Sequence, residues 1–173
     1  MIPISDANRS YTRPVVTWVL IGINVLAFLY ELLLDSSGQL DSFLFTAGLV
    51  PAVITTNPFS GDVLDVFTSM FLHGGWTHLI GNMLYLLIFG DNIEDRMGHG
   101  RFLVFYLLGG VAAAAAQIAV GPDSTVPMIG ASGAIAAVLG AYLVEFPSAR
   151  VRTLLLLGYL VRFVNVPAVI VLG

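Results

Sequence analysis

Three side chains could do chemistry in a sequence otherwise poor in polar groups: Ser132, His78 and Asn82. Ser132 sits in the run Gly130-Ala131-Ser132-Gly133. Glycines on both sides of a serine let the backbone turn tightly, so a substrate carbonyl reaches the hydroxyl without meeting a Cβ. A hydroxyl that attacks such a carbonyl needs donors for the oxyanion of the tetrahedral intermediate. His78 and Asn82, spaced i,i+4, share one helical face and offer a ring N–H and a side-chain amide. Spacing leaves open a second role for His78, as the base that takes the serine proton. Each feature also has a packing explanation. Asn and His join helices by hydrogen bonds inside membranes, and Gly133, Ala137 and Ala141 form a small-xxx-small row that lets helices approach closely. The lipase-type elbow Gly-x-Ser-x-Gly is not matched, because residue 134 is alanine.

The elements that must position these groups follow from composition. Of 173 residues, 57% are hydrophobic and only 10% charged, against about 25% charged in a soluble domain. A chain this short exposes much of its surface, so lipid is the expected solvent for it. The net charge is −4 and every basic residue is an arginine. Without clustered basic residues, a nucleic-acid partner is excluded. The absence of cysteine removes disulfides, a thiol nucleophile and thiolate metal sites together.

A spanning helix needs roughly 20 apolar residues. Residues 15–34 meet this, after a polar segment 1–14 that carries Arg9 and Arg13 and shows no cleavable leader. Glu31, near the far end of that span, is expected to reach the headgroups. Further spans are expected at 76–90, 102–120 and 126–144. An apolar connector, 153–161, then leads to the start of a fifth span near Val164. The long connection 35–74 contains apolar stretches at 43–49 and 63–72, expected to lie along the membrane surface and pack on the bundle. All seven arginines fall on alternate connections, so the positive-inside rule puts the N-terminus in the cytoplasm and Ser132, His78 and Asn82 near the outer face. The last ten residues cover only about 15 Å as helix, half of a bilayer, so the chain is expected to be incomplete at its C-terminus. The fold class expected is an all-α polytopic membrane helix bundle with helices one to four and the start of the fifth. It divides into a cytoplasmic segment 1–14 and a transmembrane domain 15–173, and nothing in the sequence sets an oligomeric state.

Three blocks taken together carry a resemblance: His73-Gly74-Gly75-Trp76-Thr77-His78-Leu79-Ile80-Gly81-Asn82-Met83, then Glu94-Asp95-Arg96-Met97-Gly98, then Gly130-Ala131-Ser132-Gly133. In order and spacing they resemble the rhomboid family of intramembrane serine proteases. The resemblance implies a six-helix core in which the serine at the start of the fourth helix pairs with a histidine of the sixth. By it, Ser132 is the nucleophile, and His78, Asn82 and Gly130 belong to the oxyanion region. His73 and Gly133 are structural, and Glu94 with Arg96 makes an ion-paired turn. His99 is an ordinary loop residue. Leu64 and Asp65 stand where many members carry a Trp-Arg pair. Substrates are transmembrane proteins, the other partner is membrane lipid, and no metal or cofactor is implied. The base histidine would lie beyond Gly173, so residues 1–173 alone are expected to be inactive. A non-catalytic relative that binds transmembrane helices is the alternative. A channel or transporter subunit would need polar residues on several helices, and spans three and four offer little beyond Gln117 and Ser132.

Overall fold

A short strand, β1 (Ile2–Asp6), precedes the first long helix, α1 (Val15–Ser36). Two short helices follow, α2 (Leu40–Ala47) and α3 (Pro51–Thr56), then α4 (Asp65–Thr68), which runs into a single 3₁₀ turn at Ser69–Phe71. The core helices are α5 (Trp76–Met97), α6 (His99–Val120) and α7 (Ser132–Glu145). Strands β2 (Arg150–Leu157) and β3 (Leu160–Pro167) and a final helical turn, α8 (Ala168–Leu172), end the chain. This is a computed structural model, and it describes residues 1–57, 64–157 and 160–172.

Large apolar side chains form the centre: Leu86, Phe89 and Ile93 of α5, Phe102 and Tyr106 of α6, and Val138 and Tyr142 of α7 are all buried. The α6–α7 contact is close because small residues meet there. A Cβ on Gly133 would lie 2.6 Å from the Ala113 Cβ, and one on Gly109 would lie 2.5 Å from the Ala137 Cβ. The opposite surface of the bundle is apolar as well. Trp18, Val19, Leu26, Leu29 and Leu33 of α1 and Val104 and Leu108 of α6 are exposed, which suits contact with lipid rather than water. Among the described residues two helices, α1 and α6, are long and apolar enough to cross a membrane. Helix α5 is as long but ends in Asp91, Glu94, Asp95 and Arg96, and the apolar α7 has 14 residues.

The structure departs from an all-α chain in one region. Residues 150–157 and 160–167 form an antiparallel hairpin, and β1 pairs with β2, giving a three-stranded sheet in the order β1-β2-β3. The apolar connector 153–161 and the start of a fifth span at Val164 are therefore strand, and helix resumes only at Ala168. The physical reason lies in the alternation at the head of β2. Arg150 and Arg152 are exposed while Val151 and Thr153 are buried, which is the two-residue period of a strand carrying β-branched residues on its inner face. The N-terminal segment is fixed too. Asp6 accepts from the Tyr142 hydroxyl at 2.8 Å and from the Asn92 amide at 3.0 Å, and the Ser10 and Thr12 hydroxyls donate to Asp91 and Asp95.

Three further expectations change. Glu94 and Arg96 do not pair with each other. Arg96 reaches Glu145 and lies over the Phe146 ring, an exposed ion pair worth little. Glu94 is fully buried and turns to the start of α1, where it accepts from the backbone N–H groups of Val16 and Thr17, both at 2.8 Å, and from the Thr17 hydroxyl at 2.7 Å. His99 is part of this cluster rather than an ordinary loop residue, with its Nδ1 2.5 Å from Glu94. Pro14 supplies no side-chain cap to α1, so a carboxylate from another helix satisfies its first donors and faces the positive end of its dipole. Glu94→Ala would leave those donors buried and unpaired, so it is expected to cost about 3 kcal/mol of stability. Glu94→Gln is expected to lose less, both measured by denaturant unfolding in detergent. Glu31, finally, does not reach outward: it is only 2% exposed.

Candidate active site

Helix α7 begins at Ser132, and its hydroxyl is exposed at the lip of the bundle rather than packed inside it. The segment before it is held by backbone pairing. Leu49 and Met128 exchange hydrogen bonds at 3.1 and 2.8 Å, and Gly130 N–H donates to the Ser69 carbonyl at 2.8 Å. The connection 35–74 thus braces the serine segment through Leu49 and Ser69. Of the stretch expected at 63–72, residue 63 lies outside the described residues, and residues 65–71 form α4 and the 3₁₀ turn that supplies Ser69.

Gly130 is the hinge of the site. Its φ is +120°, a conformation that L side chains rarely adopt. A Cβ there would also lie 2.7 Å from Cε1 and Nε2 of His78 and 3.8 Å from Nδ2 of Asn82. The missing side chain leaves space onto which one ring nitrogen and one amide nitrogen converge. His78 and Asn82 project from the first two turns of α5, and with Ser132, Thr77, Gly81 and Tyr85 they line one groove of about 340 Å³. On its other side Ser132 borders a second cavity of about 370 Å³, to which Met70 and Gln117 contribute. Asn82 is buried, and its Nδ2 has no hydrogen-bond partner among the described residues. An unpaired buried donor is costly, and a donor held ready in that state suits an anion that forms only during reaction. Among the described residues no hydrogen bond joins Ser132 to His78 or Asn82 directly.

Of the residues singled out from the sequence, Ser132, His78, Asn82 and Gly130 come together here. His73 lies next to them: its ring packs edge-on against that of His78, with centroids 5.0 Å apart, and its Nδ1 is 3.2 Å from the Phe71 carbonyl. Gly133 faces α6, and Glu94 and Arg96 lie at the opposite end of α5. Reasoning from the sequence missed Ser69, whose backbone carbonyl anchors Gly130, and Tyr85, on the groove wall. Ser69 left no readable signal, because its contribution is main-chain.

Burial, and secondarily the neighbouring His78, pushes the His73 ring down to about 4 from an ordinary 6.5. A histidine whose folded pKa is depressed favours folding above its unfolded pKa, and that contribution is lost as pH falls from 6.5 towards 4. The melting temperature is therefore expected to drop between pH 7.5 and pH 4.5 more steeply for the wild type than for His73→Gln. Parallel melting curves in detergent for the two proteins check this.

With this geometry in view, the comparisons give the class. The rhomboid domain matches residues 60–173, more than half of the chain, and the chain belongs to the rhomboid family of membrane proteins. It is 30% identical over 131 residues to the rhomboid protease GluP of Bacillus subtilis, covering 76% of this chain and 24% of that protein. It is also 31% identical over 85 residues to RHOMBOID-like protein 5 of Arabidopsis thaliana, covering 49% of this chain and 28% of that one. Against the mitochondrial presenilin-associated rhomboid-like protein of Bos taurus it is 30% identical over 126 residues, covering 66% and 33%. The chain thus spans between a quarter and a third of the length of these relatives.

Proposed function

We propose that the intact protein is an intramembrane serine endopeptidase that cuts transmembrane proteins, with Ser132 as nucleophile and a histidine from outside residues 1–173 as general base. The observation that carries this reading is the convergence of His78 Nε2 and Asn82 Nδ2 on the space beside Gly130, with Ser132 bordering both the groove that His78 and Asn82 line and the cavity that Gly130 lines. In the first step the base takes the Ser132 proton as Oγ bonds to the substrate carbonyl carbon. The carbonyl oxygen becomes an oxyanion, and His78 and Asn82 donate to it. Collapse of this intermediate breaks the C–N bond, and the protonated base gives its proton to the leaving amine. Water then attacks the acyl-enzyme by the same route and frees Ser132. Residues 1–173 alone supply nucleophile and oxyanion donors and are inactive in this reading.

The same reading takes the protein as multi-pass in the cell membrane. Segment 1–14 lies in the cytoplasm, residues 15–173 belong to the rhomboid-like domain, and the serine lies near the outer face. Transmembrane substrates and lipid are its partners. The lack of a hydrogen bond to the Ser132 hydroxyl among the described residues favours one second reading, a non-catalytic relative that holds transmembrane helices. A fluorophosphonate probe separates the two. The intact wild type is expected to be labelled and Ser132→Ala not, and equal labelling of both would sink the nucleophile assignment.

A further inference from the structure

Glu31 is a buried carboxylate that neither the packing of α1 nor the chemistry at Ser132 accounts for. Its side chain is 2% exposed, and no ion pair to it is found among the described residues. Burying an unpaired carboxylate is costly, and an apolar side chain would pack the same volume more favourably. What Glu31 does hold is the main chain. Both of its oxygens accept from the backbone N–H of His73, each at 3.1 Å.

That contact falls at a mechanically weak point. His73 is followed by Gly74 and Gly75, and Gly75 has a φ of +146°, so the link into α5 is made from the most permissive residues available. Upstream, the 3₁₀ turn is fixed by the bond from Gly130 N–H to the Ser69 carbonyl at 2.8 Å. Downstream, Phe28 of α1 packs edge-on against Trp76 with centroids 4.9 Å apart. Glu31 lies three residues beyond Phe28, on the same helical face, and supplies the second attachment of α1 to this junction. Through the His73 backbone it sets where the His73 ring meets the His78 ring, and His78 is one of the two groups that converge beside Gly130.

We propose that Glu31 is a positioning residue for the oxyanion side of the site: its carboxylate fixes the His73 main chain and thereby the pose of His78. The proposal rests on the reading of Ser132 as nucleophile, and its chemistry is that of an acceptor, not of a charge. Glutamine keeps one acceptor oxygen for the His73 N–H, whereas methionine fills similar space and offers none.

The test uses the intact protein, a model transmembrane substrate and the variants Glu31→Gln, Glu31→Met and Ser132→Ala. Glu31→Met is expected to lower kcat about 10-fold or more with KM within about twofold, and Glu31→Gln to restore kcat to within about threefold. NMR of the ¹⁵N-labelled histidine rings should show the His78 signals displaced by Met and restored by Gln. Wild-type kcat in the Met variant, or equal loss in Met and Gln, overturns the proposal. If Ser132→Ala still cleaves, the nucleophile reading fails by itself, and the His78 ring signals alone decide whether Glu31 positions that ring. If Glu31→Met does not fold, the wild-type protein provides the measurement. A His73 amide protected from exchange and shifted downfield supports the contact, and a freely exchanging one overturns it.

Discussion

Replacing Ser132 by alanine in the intact protein is expected to lower cleavage of a transmembrane substrate by at least about 10³-fold while leaving melting temperature and substrate binding near wild type. The stability expectation follows from position: Ser132 is exposed at the first residue of α7 and makes no side-chain hydrogen bond among the described residues, so removing Oγ opens no cavity and orphans no partner. The activity expectation follows from the place of Ser132 in the groove beside His78 and Asn82, close to Gly130 in the chain. Thr77 lines that groove as well, but the space beside Gly130 that would receive the oxyanion adjoins the serine segment. Asn82→Ala alone is expected to cost about 10²-fold to 10³-fold, the usual worth of one oxyanion donor. In the double variant Ser132→Ala/Asn82→Ala the two losses should not multiply, because donors to an oxyanion contribute nothing once no oxyanion forms. A double variant that loses the full product of both effects would mean that Asn82 acts on folding or binding, as a hydrogen bond between helices would.

What could be seen in the sequence divides along physical lines. Local periodicity was enough to place His78 and Asn82 on one face of a helix, since i,i+4 spacing needs no tertiary information. Hydropathy began the fourth span at 126, whereas the helix itself begins at Ser132. Periodicity was also enough for the small-residue row of α7, whose Gly133 and Ala137 meet Ala113 and Gly109. The α1 partners of Glu94 were out of reach, because they lie 77 and 78 residues away in the chain. The family resemblance implied Arg96 instead, and Arg96 found Glu145. Glu31 had a usable signal that went unused. The buried residues of α1 are Thr17, Leu20, Asn24, Phe28 and Glu31, spaced by three and four, so the helical register already put the carboxylate on the inner face. Hydropathy hid the sheet. Residues 153–161 are apolar enough to pass as membrane-facing connector, and only the alternation Arg150, Val151, Arg152, Thr153 spoke for a strand.

Gly130→Ala is expected to lower cleavage about 10²-fold to 10³-fold in a protein that still folds and still carries Ser132. Two independent costs meet at this residue. At φ +120° an alanine is strained whatever space surrounds it. Its Cβ would also lie 2.7 Å from two atoms of the His78 ring, closer than carbon and nitrogen tolerate without contact, so either the ring or the serine segment must shift. The serine segment is held by the Ser69 carbonyl and by the Leu49–Met128 pair, and the His78 ring is backed by His73. Neither side yields freely, and a misplacement of about 1 Å between reacting groups costs on the order of 10²-fold. Gly133→Ala provides the contrast. Its Cβ would meet Ala113 of α6 at 2.6 Å, so the expected damage is to helix packing, about 1–3 kcal/mol of stability, with the folded fraction still active. A double variant isolates the clash at Gly130. In a His78→Ala background the ring is gone, so adding Gly130→Ala should cost much less than it does in the wild type. If it costs the same, the loss comes from backbone strain alone, and the close approach of His78 to Gly130 is not what shapes the site.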